Sequence, residues 1–122
     1  MLNSVIIQGR LVYDPELRTT KNGKSVLNVR LAVDRDFSEG CDFLDVIIWD
    51  KSAEFVAKYF AKGDTLVVQG RLQVRDWEDD DGNLHRAVEI VADRVHFPGG
   101  KAKANHEAEK PQKPAGKGRY KR

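Results

Sequence analysis

Residues 66–77 alternate between apolar and polar side chains, and the polar row ends in a tryptophan. Even positions carry mainly leucine and valine, whereas odd positions carry glutamine and arginine and end at Trp77. Successive side chains of a strand lie on opposite faces, so we predict that Trp77 points away from the core, beside Arg71 and Arg75. An exposed indole next to guanidinium groups is suited to stacking on a nucleobase while a cation holds the phosphate. This spacing therefore indicates a surface that could contact a nucleic acid.

Length and composition allow one small domain and a tail. The chain has 122 residues, of which 40% are hydrophobic, a slightly low fraction for a chain that is folded throughout. Its single cysteine, Cys41, excludes an internal disulfide framework and a zinc site built on cysteine pairs, and fits a reducing compartment. The N-terminal segment has no basic region or cleavage site, and no long apolar span follows. We therefore expect a soluble, cytoplasmic protein.

Charge is distributed unevenly along the chain. The net charge is +2, but residues 101–122 carry eight Lys/Arg and two Glu, a net of +6, which leaves a net of −4 for residues 1–100. The segment beyond Pro98-Gly99-Gly100 contains no Val, Ile, Leu or Phe. Such a segment cannot bury enough apolar surface to offset its chain entropy. We predict a folded domain over residues 1–100 and a disordered basic C-terminal tail over residues 101–122.

The predicted domain consists mainly of strands. Alternating or β-rich segments at residues 5–12, 25–35, 43–49, 64–77 and 86–97 predict five strands, and helical spacing predicts one helix over residues 52–62. Three strands, a helix and two strands is the order of the OB-fold, an all-β fold in which five strands form a Greek-key barrel. Leu72 and Val74 are expected to build its core together with Leu66 and Val68.

Local signals predict where these elements turn and end. Ser52 is expected to cap the start of the helix, and Gly63 is expected to stop it. Gly9 interrupts the first strand and predicts a bulge or bend. The pairs Asn22-Gly23 and Asp81-Gly82 predict tight turns, the second of them at the tip of a hairpin.

Several motifs resemble those of bacterial single-stranded DNA-binding proteins. The N-terminal signature is matched by Gln8-Gly9-Arg10-Leu11, Asp14-Pro15-Glu16-Leu17-Arg18 and Asn22-Gly23. The family's third strand and helix are matched by Asp42-Phe43, Trp49, Lys51, Ala53-Glu54 and Val56-Ala57. The match continues through Lys62-Gly63, Gln69-Gly70-Arg71-Leu72, Arg75-Asp76-Trp77, Asp81-Gly82 and Val91-Ala92-Asp93. It covers about residues 1–97, in order and with few gaps.

The resemblance implies two sets of DNA-binding residues. It implies base stacking by Phe37, Phe43, Trp49 and Trp77, and strand parity independently places Phe43 and Trp49 on one side. It implies phosphate contacts by Arg18, Lys51, Lys62 and Arg75. Strand parity or loop position adds Lys24, Arg30, Arg35, Arg71 and Arg86. A single charged side chain usually just faces water, but as a set these cations could form a path for phosphates. Tyr59 and Phe60, on the helix, are interpreted as core.

Enzymatic residues do not emerge from the sequence. Asp79-Asp80-Asp81 is interpreted as a solvated hairpin tip, because no other residues supply metal ligands at a suitable spacing. His85, His96 and His106 are scattered, and no catalytic triad or carboxylate pair is apparent. We therefore predict a binding protein without a cofactor or metal.

The function implied by the resemblance is sequence-tolerant binding and protection of single-stranded DNA in replication, recombination and repair, as a homotetramer. The alternative is a primosome-type OB-fold adaptor that acts mainly through protein contacts, and the presence of all four aromatic positions favours the first. Relatives usually end in an acidic tip with a terminal Pro-Phe that recruits replication and repair proteins, whereas this sequence ends in Gly118-Arg119-Tyr120-Lys121-Arg122. We expect recruitment through such a tip to be absent, as in a specialised, plasmid or phage version. The loop 38–41 is also shorter than in many relatives.

Overall fold

The computed structural model describes residues 1–98, so the predicted tail of residues 101–122 lies outside the described part. In chain order the elements are β1 (Val5–Leu11), β2 (Arg18–Thr19), β3 (Ser25–Asp34), β4 (Cys41–Trp49), α1 (Asp50–Tyr59), β5 (Thr65–Glu78) and β6 (Leu84–His96). The predicted order of three long strands, a helix and two long strands is confirmed, with the two-residue β2 added. No helix of residues 1–98 is long and apolar enough to cross a membrane.

Five strands close into a ring. The hydrogen-bonded order is β1-β5-β6-β4-β3-β2, and β1 also pairs with β3 through Arg10↔Ala32 and Leu11↔Leu31. This second pairing joins the two ends of the sheet and leaves the short β2 attached to the outside of β3. All pairings are antiparallel except β4 with β6, where Val46 pairs with Ile90. The all-β OB-fold barrel predicted from the sequence is confirmed.

The barrel interior is filled by every second residue of its strands. Leu27, Leu31, Ile48 and Leu66 are fully buried, and the inward positions between them carry valine. Helix α1 closes the barrel with Ala53 and Val56, and Phe60 packs just after it. Burial of each large aliphatic side chain stabilises the fold by about 1.5–3 kcal/mol relative to exposure. The prediction that Phe60 belongs to the core is confirmed, and Tyr59 packs against it.

Helix α1 begins directly after β4, two residues earlier than predicted. Asp50 has a φ of 58°, and the N-cap residue Trp49 makes no side-chain capping hydrogen bond, so the prediction that Ser52 caps the helix is wrong. The sharp turn at Asp50 lets the helix start while Trp49 still belongs to the strand. The helix ends at Tyr59, before the predicted stop at Gly63, which instead adopts a φ of 91° in the following turn.

Two glycines allow close approach of strands. The pairing of β1 with β5 runs without a shift past Gly9, so the bulge predicted there is absent. A Cβ atom on Gly9 would lie 2.8 Å from the carbonyl oxygen of Ala32. A Cβ atom on Gly70 would overlap the carbonyl oxygen of Val91, and the register between β5 and β6 shifts at this point. Glycine is therefore needed at these two positions, because a side chain would collide with the backbone of the neighbouring strand. Gly23 and Gly82, by contrast, occupy the predicted turns.

Beyond the barrel, β5 and β6 continue as a two-stranded ribbon formed by residues 71–78 and 84–89, called the β5–β6 ribbon. The pairing of β1 with β5 ends at Gly70, whereas β5 and β6 remain paired as far as Glu78↔Leu84. Leu72 and Val74 are 46% and 55% exposed, so the prediction that they join the core is wrong. Alternation correctly assigns the apolar and polar side chains to opposite faces of the ribbon. Because β1 pairs with β5 only as far as Gly70, the ribbon extends beyond the barrel and its apolar face is not enclosed.

Candidate nucleic-acid interface

Three of the four predicted stacking aromatics lie on one continuous face of the sheet. Paired residues of neighbouring strands share a face, and the register pairs Trp49 with Val26, Ile47 with Val91 and Trp77 with His85. Since every second residue of a strand returns to the same face, these pairs define one surface, called the outer face. It comprises alternate residues of four strands: 26–32 of β3, 43–49 of β4, 85–91 of β6 and 71–77 of β5.

The aromatic side chains of this region are accessible. Phe43, Trp49 and Trp77 on the outer face are 58%, 39% and 40% exposed, and Phe37 is 99% exposed in the loop between β3 and β4. The inward positions of β4, Val46 and Ile48, are fully buried, so the predicted parity of this strand is confirmed. All four predicted stacking rings are thus exposed, three of them on a common surface.

Cations accompany the aromatic rings on the outer face. Arg30, Arg71 and Arg75 occupy outward positions of β3 and β5, and Arg18 pairs with Val26, the residue next to Trp49. A strand lying along this face would therefore meet rings and positive charges together.

Five of the nine predicted phosphate contacts already have acidic partners. Their nitrogen–oxygen distances are 2.9 Å for Arg30–Asp45, 2.7 Å for Arg35–Asp42, 3.7 Å for Arg71–Asp93, 3.3 Å for Arg75–Glu89 and 2.8 Å for Arg86–Asp76. Arg86 and Asp76 lie on the opposite side of the β5–β6 ribbon from Trp77. A phosphate that contacts any of these arginines has to compete with a carboxylate.

The remaining four cations, Arg18, Lys24, Lys51 and Lys62, have no ion pair within residues 1–98. Lys24 follows the turn after β2, Lys51 lies in the first turn of α1, and Lys62 lies in the turn after α1. The backbone N–H of Lys62 donates to Asp14 Oδ1 at 2.7 Å, which fixes its position while its ammonium group is left for a ligand. These four cations can therefore meet a phosphate without displacing a carboxylate.

Ion pairing changes the proton affinity of several surface groups. The hydrogen bond to Asp45 raises the pKa of Arg30 above its ordinary value, and the hydrogen bond to Asp42 does the same for Arg35. Conversely, the guanidinium of Arg35 lowers the pKa of Asp42. The first pair links β3 to β4, and the second links the loop after β3 to the start of β4.

Sequence reasoning missed two residues that contact the predicted ones. Glu89 is only 8% exposed and accepts hydrogen bonds from Arg75, whose guanidinium carbon lies 4.5 Å from the centre of the Trp77 ring. The second missed residue is His85, whose imidazole ring stacks on the Trp77 indole. Counting outward from a two-residue turn at Asp81-Gly82 would have placed Arg86 opposite Trp77, so the pairing of Trp77 with His85 follows only from the register of the structure. Within residues 1–98, no group of three or more His, Cys, Asp or Glu could hold a metal ion.

A closed five-stranded barrel with one helix defines this chain as an OB-fold domain. The model of the Single-strand binding protein family matches residues 2–98, and the chain belongs to that family. It is 44% identical over 102 residues to a protein of Oceanobacillus iheyensis named Single-stranded DNA-binding protein. The alignment covers 80% of this chain and 63% of that relative.

Two staphylococcal proteins show the same degree of similarity. Single-stranded DNA-binding protein 1 of Staphylococcus aureus strain MSSA476 is 44% identical over 80% of this chain and 65% of its own length. Single-stranded DNA-binding protein 2 of strain Mu50 is 44% identical over 80% of this chain and 72% of its own length. The chain thus spans somewhat less than two thirds of the first two of these three relatives.

Proposed function

We propose that this chain binds single-stranded DNA with little dependence on base sequence. The main supporting observation is the outer face, on which Phe43, Trp49 and Trp77 are exposed beside Arg18, Arg30 and Arg75. Base stacking within a basic groove is the general mode of single-strand-binding OB-folds, and the chain is a member of such a family. Relatives that match most of its length are named single-stranded DNA-binding proteins.

The exposed rings favour an unpaired strand. Bases in a duplex are stacked on their neighbours, whereas the bases of a single strand can turn out and stack on aromatic side chains. Every base has a π face, so stacking on Phe37, Phe43, Trp49 and Trp77 would tolerate any sequence. We therefore propose that the chain distinguishes single-stranded from double-stranded DNA, and not one base sequence from another.

Phosphates would be held mainly by the four cations that have no ion pair within residues 1–98. Arg18, Lys24, Lys51 and Lys62 can neutralise phosphates and release counterions directly. At Arg30, Arg35, Arg71, Arg75 and Arg86 a phosphate gains less, because the carboxylate already neutralises the guanidinium. This division explains how a domain with a net charge of −4 can still present a path for a polyanion.

In the cell, we propose, the protein coats strands exposed during replication, recombination and repair. It acts as a homotetramer in the cytoplasm and catalyses no reaction. The folded domain of residues 1–100 holds the strand, and the basic segment of residues 101–122 adds a second, electrostatic contact.

The proposed function is tested by titrating the protein with oligo-dT and with duplex DNA of equal length, following tryptophan fluorescence. Trp49 and Trp77 are the two tryptophans of the chain, so a base that stacks on either should quench the emission. We expect saturable quenching by oligo-dT and much weaker binding of the duplex. Equal affinity for both, or no binding of oligo-dT, would contradict the proposal. Light scattering on the same samples measures the mass and tests the tetramer.

A further inference from the structure

We propose that His85 is an additional binding residue and that it forms, together with Trp77, a single two-ring stacking platform near the end of the β5–β6 ribbon. The inference rests on the proposed function and adds to it a residue for which neither strand parity nor family resemblance gave a role. It predicts that a base stacks on the imidazole, which is itself stacked on the indole.

The geometry of the two rings supports this platform. His85 and Trp77 are cross-strand partners on the outer face. Their ring centroids are 5.1 Å apart and their planes differ by 19°, so the rings are stacked. Both side chains keep a large exposed fraction, 44% for His85 and 40% for Trp77. A strand that reaches Trp77 along the outer face therefore meets the imidazole as well.

The hairpin turn holds the imidazole in place. His85 Nε2 lies 2.7 Å from Asp79 Oδ2, while Asp79 Oδ1 accepts hydrogen bonds of 2.9 Å from the backbone N–H groups of Asp81 and Asn83. An ionised carboxylate can only accept, so Nε2 of His85 is the donor. The pKa of Asp79 is lowered chiefly by this hydrogen bond, which keeps the acceptor ionised. The ring is thus oriented before any ligand arrives, which reduces the entropy lost on binding.

The indole is held from within the sheet as well. The guanidinium of Arg75 lies over the Trp77 ring at 4.5 Å and is itself bonded to the nearly buried Glu89. A connected group of side chains therefore runs along the ribbon, in the order Glu89, Arg75, Trp77, His85 and Asp79. Carboxylates anchor this group at both ends, and its flat cationic and aromatic members lie between them.

Two other roles for His85 are possible on geometric grounds, and the experiment separates them. The residue could serve only to fasten the turn through Asp79, or it could cover a part of the indole that a base needs. His85→Phe keeps a flat ring and removes the donor to Asp79, whereas His85→Gln keeps a donor and removes the ring. His85→Ala removes both. Leu84→Ala is the matched control, because Leu84 is an exposed residue on the opposite side of the ribbon.

The measurements are the dissociation constant for a fluorescently labelled oligo-dT, followed by anisotropy, and the melting temperature of each variant. Anisotropy is used because changes near Trp77 alter the intrinsic emission. We expect His85→Gln and His85→Ala to bind at least about fivefold more weakly, the lower end of the range for one base–aromatic stack. His85→Phe should bind within about twofold of the wild type, since a phenyl ring also offers a π face. The melting temperature should follow the donor instead, and fall for His85→Phe and His85→Ala.

Four results would overturn the inference. Unchanged binding by His85→Ala would show that the imidazole contacts no base, and tighter binding would show that it covers the indole. Normal binding by His85→Gln with weak binding by His85→Phe would assign the effect to the hydrogen bond with Asp79. If the wild type and Leu84→Ala both fail to bind oligo-dT, the proposed function fails and this inference fails with it. Failure of the inference alone leaves wild-type binding intact.

Discussion

At the scale of single residues, exposure separates the aromatic side chains that stabilise the fold from those that are available to a ligand. Phe60 is fully buried and packs edge-on against Phe55 and Phe97, whereas Trp49 and Trp77 keep about two fifths of their surface in solvent. Strand parity predicted this difference for Trp49 and Trp77, and helical spacing predicted it for Phe60. The exposure does not by itself show what the tryptophans bind, so their role is tested by substitution.

Trp49→Ala and Trp77→Ala should each weaken binding of oligo-dT by about 1–3 kcal/mol, the usual contribution of one base–aromatic stack. Neither change should lower the melting temperature much, because both rings lie outside the core. Phe60→Ala is the contrasting variant and should destabilise the fold by about 3–5 kcal/mol. Unchanged affinity together with a large fall in melting temperature for the tryptophan variants would show that they are structural.

Basic residues should divide into two groups according to their ion pairs. Lys51→Ala should make the slope of log Kobs against log salt shallower by about 0.7, the value for one phosphate contact with a single strand, without changing stability. Arg75→Ala should also destabilise the fold by about 1–3 kcal/mol, because it leaves the nearly buried carboxylate of Glu89 without its partner. Salt titrations and urea unfolding measure the two effects.

The double variant Arg75→Ala/Glu89→Gln is the control for this division. It should recover stability relative to Arg75→Ala, since the unpaired charge is gone, but it should not recover DNA binding. Equal stability of Arg75→Ala and Lys51→Ala would contradict the importance of the Arg75–Glu89 pair.

At the scale of elements, alternation predicted which side each strand residue faces but not how far the barrel extends. Leu66 and Val68 were correctly expected inside, whereas Leu72 and Val74 lie beyond the point where β1 ends. Whether a face is covered depends on a strand distant in sequence, and periodicity contains no information about that strand. The start of α1 was missed because aspartate tolerates the left-handed backbone that Asp50 adopts but does not require it.

Gly70 illustrates a constraint that only the assembled sheet reveals. Gly70→Ala should destabilise the domain by about 1–3 kcal/mol, because the new methyl group would overlap the backbone of Val91 and a backbone atom cannot rotate away. Gly40→Ala is a useful comparison, because a Cβ atom there meets no neighbour within 4 Å and the cost comes only from its φ of 94°. Chemical unfolding of both variants separates steric overlap from backbone strain. A smaller loss for Gly70→Ala than for Gly40→Ala would contradict the close approach.

The ion pair between Arg35, just after β3, and Asp42 of β4 should make the stability of the domain depend on pH. The pKa of Asp42 is lowered in the folded state by the hydrogen bond from Arg35. The stability that it contributes is therefore fully present above the ordinary aspartate value of about 3.9 and is lost as the pH falls through the lower folded value. Asp42→Asn should be less stable than the wild type near neutral pH, and the difference should vanish in acid. A difference that persists in acid, measured by urea unfolding, would assign the effect to packing.

At the scale of the whole molecule, the sequence predicted the barrel and the outer face more completely than the electrostatics of that face. Element order and motif spacing were enough for the OB-fold, because both are local properties of the chain. The nine cations were predicted as one set, yet the fold pairs five of them with carboxylates from other strands or hairpin arms. Such pairs depend on register, and the register of Arg30 with Asp45 or of Arg86 with Asp76 follows only when the strands are aligned.

Charge at this scale leads to a prediction about residues 101–122, which carry a net of +6 beside a domain of net −4. Deleting them should leave the domain folded, because they contain no Val, Ile, Leu or Phe that could pack into its core. The truncated protein should bind oligo-dT more weakly at low salt, and the difference should shrink as salt screens the charges. Paired titrations of full-length and truncated protein at several salt concentrations measure this, with light scattering as the check on assembly. Tighter binding after truncation would mean that the basic segment occupies the acidic surface of the domain and competes with DNA, and loss of the fold would mean that the segment contributes to the core.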